Sequence, residues 1–253
     1  MIDVVCMHAS ASSGRQWQSL TERLAGAFRV VAPGLYGSGA SPQWPDGRQL
    51  TIDDELAALE PVLSAVETPF HLVGHSYGGA VALRLALADP GRIRSLVIFE
   101  PVLFGLLVAD DATQPAAREI LAVAGDMSAA VERDDLDAAG ERFIDYWMGA
   151  GTWATTPPQR RAALGRAMRG VRPQWPALFT DPVPLAAYAA LRLPTLFVTG
   201  DRTADSARGV ARLLMATLPE LTTVELSGAG HMGPVTHADL VNDLVEEHLK
   251  RWS

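Results

Sequence analysis

A single cysteine, Cys6, and a single lysine, Lys250, stand among 253 residues. One cysteine excludes an internal disulfide and fits a reducing cytoplasm. Cys6 lies in an apolar run, where a thiol behaves as a small buried hydrophobe. No apolar stretch approaches the ~20 residues of a membrane-spanning helix. No leader is expected either, because the chain opens directly on the strand-like Met1-Ile2-Asp3-Val4-Val5. The net charge of −8 offers phosphates no footprint, so a nucleic-acid surface is excluded. The arginines between Gln159 and Arg172 alternate with Ala and Leu and read as a solvated helix face. Histidines, cysteine and acids nowhere take metal-ligand spacing, and no internal repeat occurs.

Apolar residues make up 48% of the chain, enough for one large core. Short apolar runs recur at Ile2–Met7, Phe28–Ala32, Phe70–Val73, Ile93–Phe99, Thr195–Thr199 and Thr222–Leu226. Their near-continuous hydrophobicity suits parallel strands covered on both faces. Helical patterns fall between them at Gly14–Leu24, Ile52–Val66 (after a Thr51 cap), Ala80–Ala88, Ala204–Leu218 and His237–Trp252. Strand alternating with helix predicts a doubly wound α/β fold with a mostly parallel sheet of about six strands. The alternation stops between Glu100 and Leu191, where helical patterns at Ala116–Ala124, Leu136–Met148 and Pro158–Met168 follow one another. The expected division is a core of residues 1–101 and 190–253 with a helical lid of residues 102–189.

The most informative segment is Leu72-Val73-Gly74-His75-Ser76-Tyr77-Gly78-Gly79. It reads strand, Gly-x-Ser-x-Gly turn, then a helix of small and apolar residues, the context that makes a serine in this turn a nucleophile. Its general base should come late in the chain. His231, in Gly228-Ala229-Gly230-His231-Met232-Gly233-Pro234, follows the last strand in a glycine-rich loop. His71 lies at the far end of its strand, His237 caps or faces the last helix, and His248 is expected in solvent. An oxyanion needs two backbone N–H donors. Tyr77, after the nucleophile, supplies one, and Ser10, in the loop after the first strand, supplies the other. His8 ends that strand and is expected to fix the loop by hydrogen bonding.

These segments, in this order, resemble the α/β-hydrolase fold family over nearly the full length. The segment Ala32-Pro33-Gly34-Leu35-Tyr36-Gly37-Ser38-Gly39-Ala40-Ser41 is similar to the family's loop after the second of these strands. Several departures stand out. The family's N-terminal β-hairpin has no residues here, Ala9 replaces a glycine, and Gly34 replaces an aspartate. The family commonly keeps its triad acid three residues after the glycine that ends a late strand, and that position is Thr203. Glu100, Asp201 and Asp205 are the candidates to replace it. Glu100 leads because some relatives carry their acid at the end of the corresponding strand, and because a glutamate ending an apolar strand needs a partner.

The resemblance implies a serine hydrolase acting through an acyl-enzyme on a small-molecule substrate, without cofactor or metal. An apolar inner face of the lid, from Leu103, Phe104, Leu106, Phe143, Trp147 and Trp153, would accept a small or medium apolar ester. Lactones, amides and the carbon–carbon bonds of diketones are the alternatives, as is a ligand-binding pseudoenzyme. A cyanohydrin lyase would want a lysine beside the serine, and Lys250 is remote from it in sequence. The oligomeric state is left open.

Overall fold

Successive side chains leave a strand on opposite faces, so an unbroken apolar strand is fit for burial on both sides. In β1 (Ile2–Met7), Val4 and Cys6 enter one hydrophobic cluster while Val5 and Met7 enter the other. The same division runs through β3 (Phe70–His75), β4 (Ile93–Phe99) and β5 (Thr195–Gly200), for example Val97 and Phe99 against Leu96 and Ile98. With β2 (Phe28–Val31) and β6 (Leu221–Leu226) these strands form one sheet in the order β2-β1-β3-β4-β5-β6. Every pairing is parallel. The computed structural model describes residues 1–45 and 47–253.

Helix α1 (Gln18–Leu24) packs Leu20 and Leu24 against one face, beside Trp17. The opposite face is covered by α2 (Ile52–Leu63) and α3 (Tyr77–Ala88). Thr51 caps α2 reciprocally: its hydroxyl accepts from the Asp54 amide at 3.2 Å, and the Asp54 carboxylate accepts from the Thr51 amide at 3.0 Å. Between β4 and β5 the chain forms only helices: α4 (Phe104–Asp111), α5 (Pro115–Glu132), α6 (Leu136–Met148), α7 (Thr152–Thr155), α8 (Pro158–Val171) and α9 (Gln174–Phe179), with a 3₁₀ segment at Leu185–Ala190. The chain then returns through β5, α10 (Asp205–Thr217) and β6 to α11 (Gly233–Thr236) and α12 (Ala238–Arg251). α12 joins α1 on the first face.

Two expectations are corrected here. β6 is an edge strand with Thr222, Thr223 and Glu225 exposed, so it is not covered on both faces. His248 is buried rather than solvated. It lies seven residues past Val241 and three past Val245, so it shares their buried stripe on α12. Among the described residues no helix is long and apolar enough to cross a membrane.

Candidate active site

The parallel sheet brings the C-terminal ends of β3, β4, β5 and β6 to one edge, where loops of an open α/β sheet gather chemistry. Ser76 leaves β3 with φ 54° and ψ −118°, a conformation side chains rarely adopt. The turn closes because its flanking glycines carry no side chain. A Cβ on Gly78 would lie 2.4 Å from the Met7 carbonyl oxygen, and one on Gly74 would lie 2.7 Å from that of Gly78. The Gly78 amide donates to the His8 carbonyl at 3.1 Å, which fastens the turn to the end of β1. Ser76 thus stands at the N-terminus of α3, the positive end of that helix.

His231 Nε2 lies 2.8 Å from Ser76 Oγ, and its Nδ1 lies 2.7 Å from Glu100 Oε2. The carboxylate accepts from Nδ1–H, which leaves Nε2 free to take the serine proton. Glu100 follows the last residue of β4 with a positive φ of 43° and is fully buried. It also accepts from the Gly200 amide at 2.7 Å and from Thr203 Oγ1 at 2.5 Å. Asp201 and Asp205 sit elsewhere. Asp201 accepts from the Gly228 amide at 2.8 Å and orders the turn after β6, while Asp205 faces Arg208 at 3.7 Å.

The loop after β1 faces this group. Among the described residues, the amides of Ser10 and Tyr77 have no hydrogen-bond partner. His8 holds the loop: Nδ1–H donates to the Ala9 carbonyl at 2.8 Å, and Nε2 accepts from the Leu35 amide at 3.2 Å. Burial depresses the basicity of His8 below its usual value and so favours this neutral form. Tyr77 turns its hydroxyl away to Glu55 Oε1 at 3.0 Å. Glu55 Oε2 accepts from the Tyr36 amide at 3.2 Å, and burial pushes the Glu55 carboxyl up to about 7.

Ser76 opens on a tight cavity whose free volume is about 10 Å³, no more than a single water needs. Phe104, Phe143, Trp147, Val171, Trp175 and Leu178, all from the helices between β4 and β5, form its apolar wall. Trp147 stacks on the His231 ring with centroids 4.0 Å apart and planes at 28°. Two polar side chains interrupt the wall. Ser10 Oγ donates to Gln174 Oε1 at 2.6 Å, and Gln174 Nε2 donates to the Tyr36 carbonyl at 3.3 Å. Trp153 is a correction, as it does not line this cavity. It is packed behind α6, where a Cβ on Gly140 would lie 2.3 Å from its ring. Leu103 and Leu106 are likewise absent from the lining.

Sequence reasoning missed Gln174, Gln16, Glu55 and the hydroxyl of Thr203. Each is a polar residue with at least one apolar neighbour in sequence, a pattern shared by many surface positions. Among the described residues no group of three or more His, Cys, Asp or Glu is placed to hold a metal ion.

Comparison with known proteins extends the picture. Residues 4–244 match the alpha/beta hydrolase family. A pimeloyl-[acyl-carrier protein] methyl ester esterase of Chromobacterium violaceum is 30% identical over 256 residues, 98% of this chain and 94% of that protein. A 2-hydroxy-6-oxo-2,4-heptadienoate hydrolase of Pseudomonas putida is 34% identical over 103 residues, and this match spans only 39% of this chain and 37% of that protein. A hydrolase structure from Pseudomonas aeruginosa superposes with a TM-score of 0.79 at 23% identity, over 98% of this chain and 89% of that one. Agreement over the whole length, in sequence and in fold, settles the kinship: this chain belongs to the alpha/beta hydrolase family and is a hydrolase.

Proposed function

We propose that the chain is a serine hydrolase that cleaves a small or medium carboxylic ester through an acyl-enzyme. The observation that carries this reading is the unbroken line of hydrogen bonds from Ser76 through His231 to Glu100, at 2.8 and 2.7 Å. Ser76 Oγ attacks the ester carbonyl while its proton passes to His231 Nε2, and Glu100 stabilises the imidazolium. The oxyanion rests on the amides of Tyr77 and Ser10. Collapse expels the alcohol, which takes the proton from Nε2. Water then repeats the cycle on the acyl-serine, releasing the acid and restoring Ser76. In this reading residues 102–189 are a cap over the core of residues 1–101 and 190–253, and Phe104 and Trp147 bound the acyl group. The methyl ester cleaved by the full-length relative supports a small alcohol as leaving group. A cytoplasmic location is proposed on the lone, buried Cys6.

A carbon–carbon bond hydrolase or lactonase is the second reading. The Ser10–Gln174 pair favours it, because a polar pair in an apolar wall suits a substrate with a second oxygen near the scissile carbonyl. The test is hydrolysis of aryl esters of graded acyl length, wild type against Ser76→Ala, with a diketone and a lactone run in parallel. Ester turnover that vanishes in the variant supports the first reading. Turnover of the diketone or lactone alone supports the second. Ester turnover equal in both proteins overturns the serine mechanism.

A further inference from the structure

His75 adjoins the proposed nucleophile and is fully buried, yet the hydrolytic scheme makes no use of it. Its Nε2 lies 2.8 Å from the His231 carbonyl oxygen and its Nδ1 lies 3.0 Å from Gln16 Nε2. Gln16 Oε1 in turn accepts from the Ala9 amide at 3.1 Å. The two ends of this chain fix the role of every atom between them. The Ala9 N–H can only donate, so Gln16 presents its oxygen there and its NH₂ to His75. The His231 carbonyl can only accept, so His75 carries its proton on Nε2 and leaves Nδ1 to accept from Gln16. Burial favours that neutral ring, holding His75 well below the usual imidazole range.

The chain joins three segments that sequence separates widely. Ala9 precedes Ser10, whose amide faces the site, and the same loop holds Ala11 at a strained φ of 54°. His75 precedes Ser76. The His231 carbonyl belongs to the residue whose ring takes the serine proton. We infer that Gln16 and His75 are positioning residues, locking the oxyanion loop, the nucleophile turn and the His231 loop into one register from behind the reacting atoms. The inference rests on the serine-hydrolase reading above. Its physical basis is that misplacing a preorganised donor by a fraction of an ångström weakens transition-state stabilisation without altering ground-state binding.

The test is the rate at which a fluorophosphonate modifies Ser76, followed by intact mass in wild type, Gln16→Met, His75→Phe and the double variant. The reagent reports nucleophile and oxyanion donors without the natural substrate. Each single variant is expected to react about 10- to 100-fold more slowly. The double variant is expected to be no slower than the slower single one, because either change opens the same chain. Undiminished labelling of Gln16→Met, or losses that multiply in the double variant, overturns the inference and leaves the serine-hydrolase reading intact. Wild type that is not labelled at Ser76 overturns both. If Gln16→Met does not fold, nitrogen-15 shifts of His75 in the wild type decide instead. A proton on Nε2 with Nδ1 bare supports the chain, and a proton on Nδ1 overturns it.

Discussion

Thr203 donates its hydroxyl to Glu100 Oε2 at 2.5 Å, the same oxygen that faces His231 Nδ1. Where the family resemblance puts an acid, this chain keeps a hydrogen-bond donor that serves an acid on the neighbouring strand. The two sites meet because β4 and β5 run parallel in register, with Phe99 opposite Val198, so Glu100 emerges beside Thr199 and within 2.7 Å of the Gly200 amide. In the proposed mechanism the negative charge therefore reaches His231 from a different strand but at the same place.

Glu100→Gln is expected to lower kcat for an aryl ester by about 10³- to 10⁴-fold, the loss typical when a triad acid is neutralised. Thr203→Val removes one of the donors to that carboxylate and is expected to cost about 10-fold. Asp201→Asn and Asp205→Asn should stay near wild type, since neither touches His231. Initial rates of the four variants check this, and loss of activity in Asp205→Asn with retention in Glu100→Gln would reverse the assignment. The double change Glu100→Ala with Thr203→Asp should recover part of the lost rate.

In the proposed function Trp147→Leu should lengthen the preferred acyl chain, because the indole forms one wall of the tight cavity beside Ser76. It should also slow turnover of the shortest esters by up to about 30-fold, through loss of the ring stacked on the forming imidazolium. A kcat/KM series across acyl lengths checks both effects. An unchanged optimum would mean that Trp147 does not bound the acyl group.

Glu55 links stability to pH. Its carboxyl titrates near 4.5 when unperturbed and at about 7 in the fold. The unfolded chain therefore loses this proton first, and stability falls as pH rises from 4.5 through about 7. The loss by pH 8 is roughly 3 kcal/mol. Glu55→Gln has no proton to lose and should melt higher than wild type at pH 8, with little difference near pH 4.5. Thermal melts across that range check it, and parallel curves for the two proteins would contradict the linkage.

Acid acts in the opposite direction through His71 and His248, both buried and both pushed down to about 4, first by burial. The unfolded chain takes up protons near 6.5 while the folded one resists until about 4, so stability present above 6.5 is lost as pH falls across that window. His248→Gln should flatten the acid limb of a urea-denaturation series between those limits. Retention of the full acid limb in this variant would assign the effect to other groups.

The order of strands and helices was legible because parallel strands buried on both faces must be apolar at nearly every position, as β1 and β4 are. The turn at Ser76 was legible because its glycines answer to backbone contacts no side chain permits. Trp153 and His248 were misjudged for one reason. An aromatic or a histidine on an amphipathic helix is placed by what packs against that face, and the sequence names the helix but not its neighbour. The links from Gln16 to His75 and from Ser10 to Gln174 join residues 59 and 164 positions apart, beyond the reach of any local pattern.

The bond between Ser10 and Gln174 has a consequence for how such a protein can diverge. Gln174 opens α9, yet it grips both the Ser10 hydroxyl and the Tyr36 carbonyl. The helices between β4 and β5 are thereby fastened to the loop whose amide faces Ser76, so they are not an interchangeable attachment. A chimera that borrowed those helices from a relative without a glutamine at this position would inherit a new cavity and a slackened loop together. In the proposed function, substrate choice and catalytic competence would meet at this one side chain.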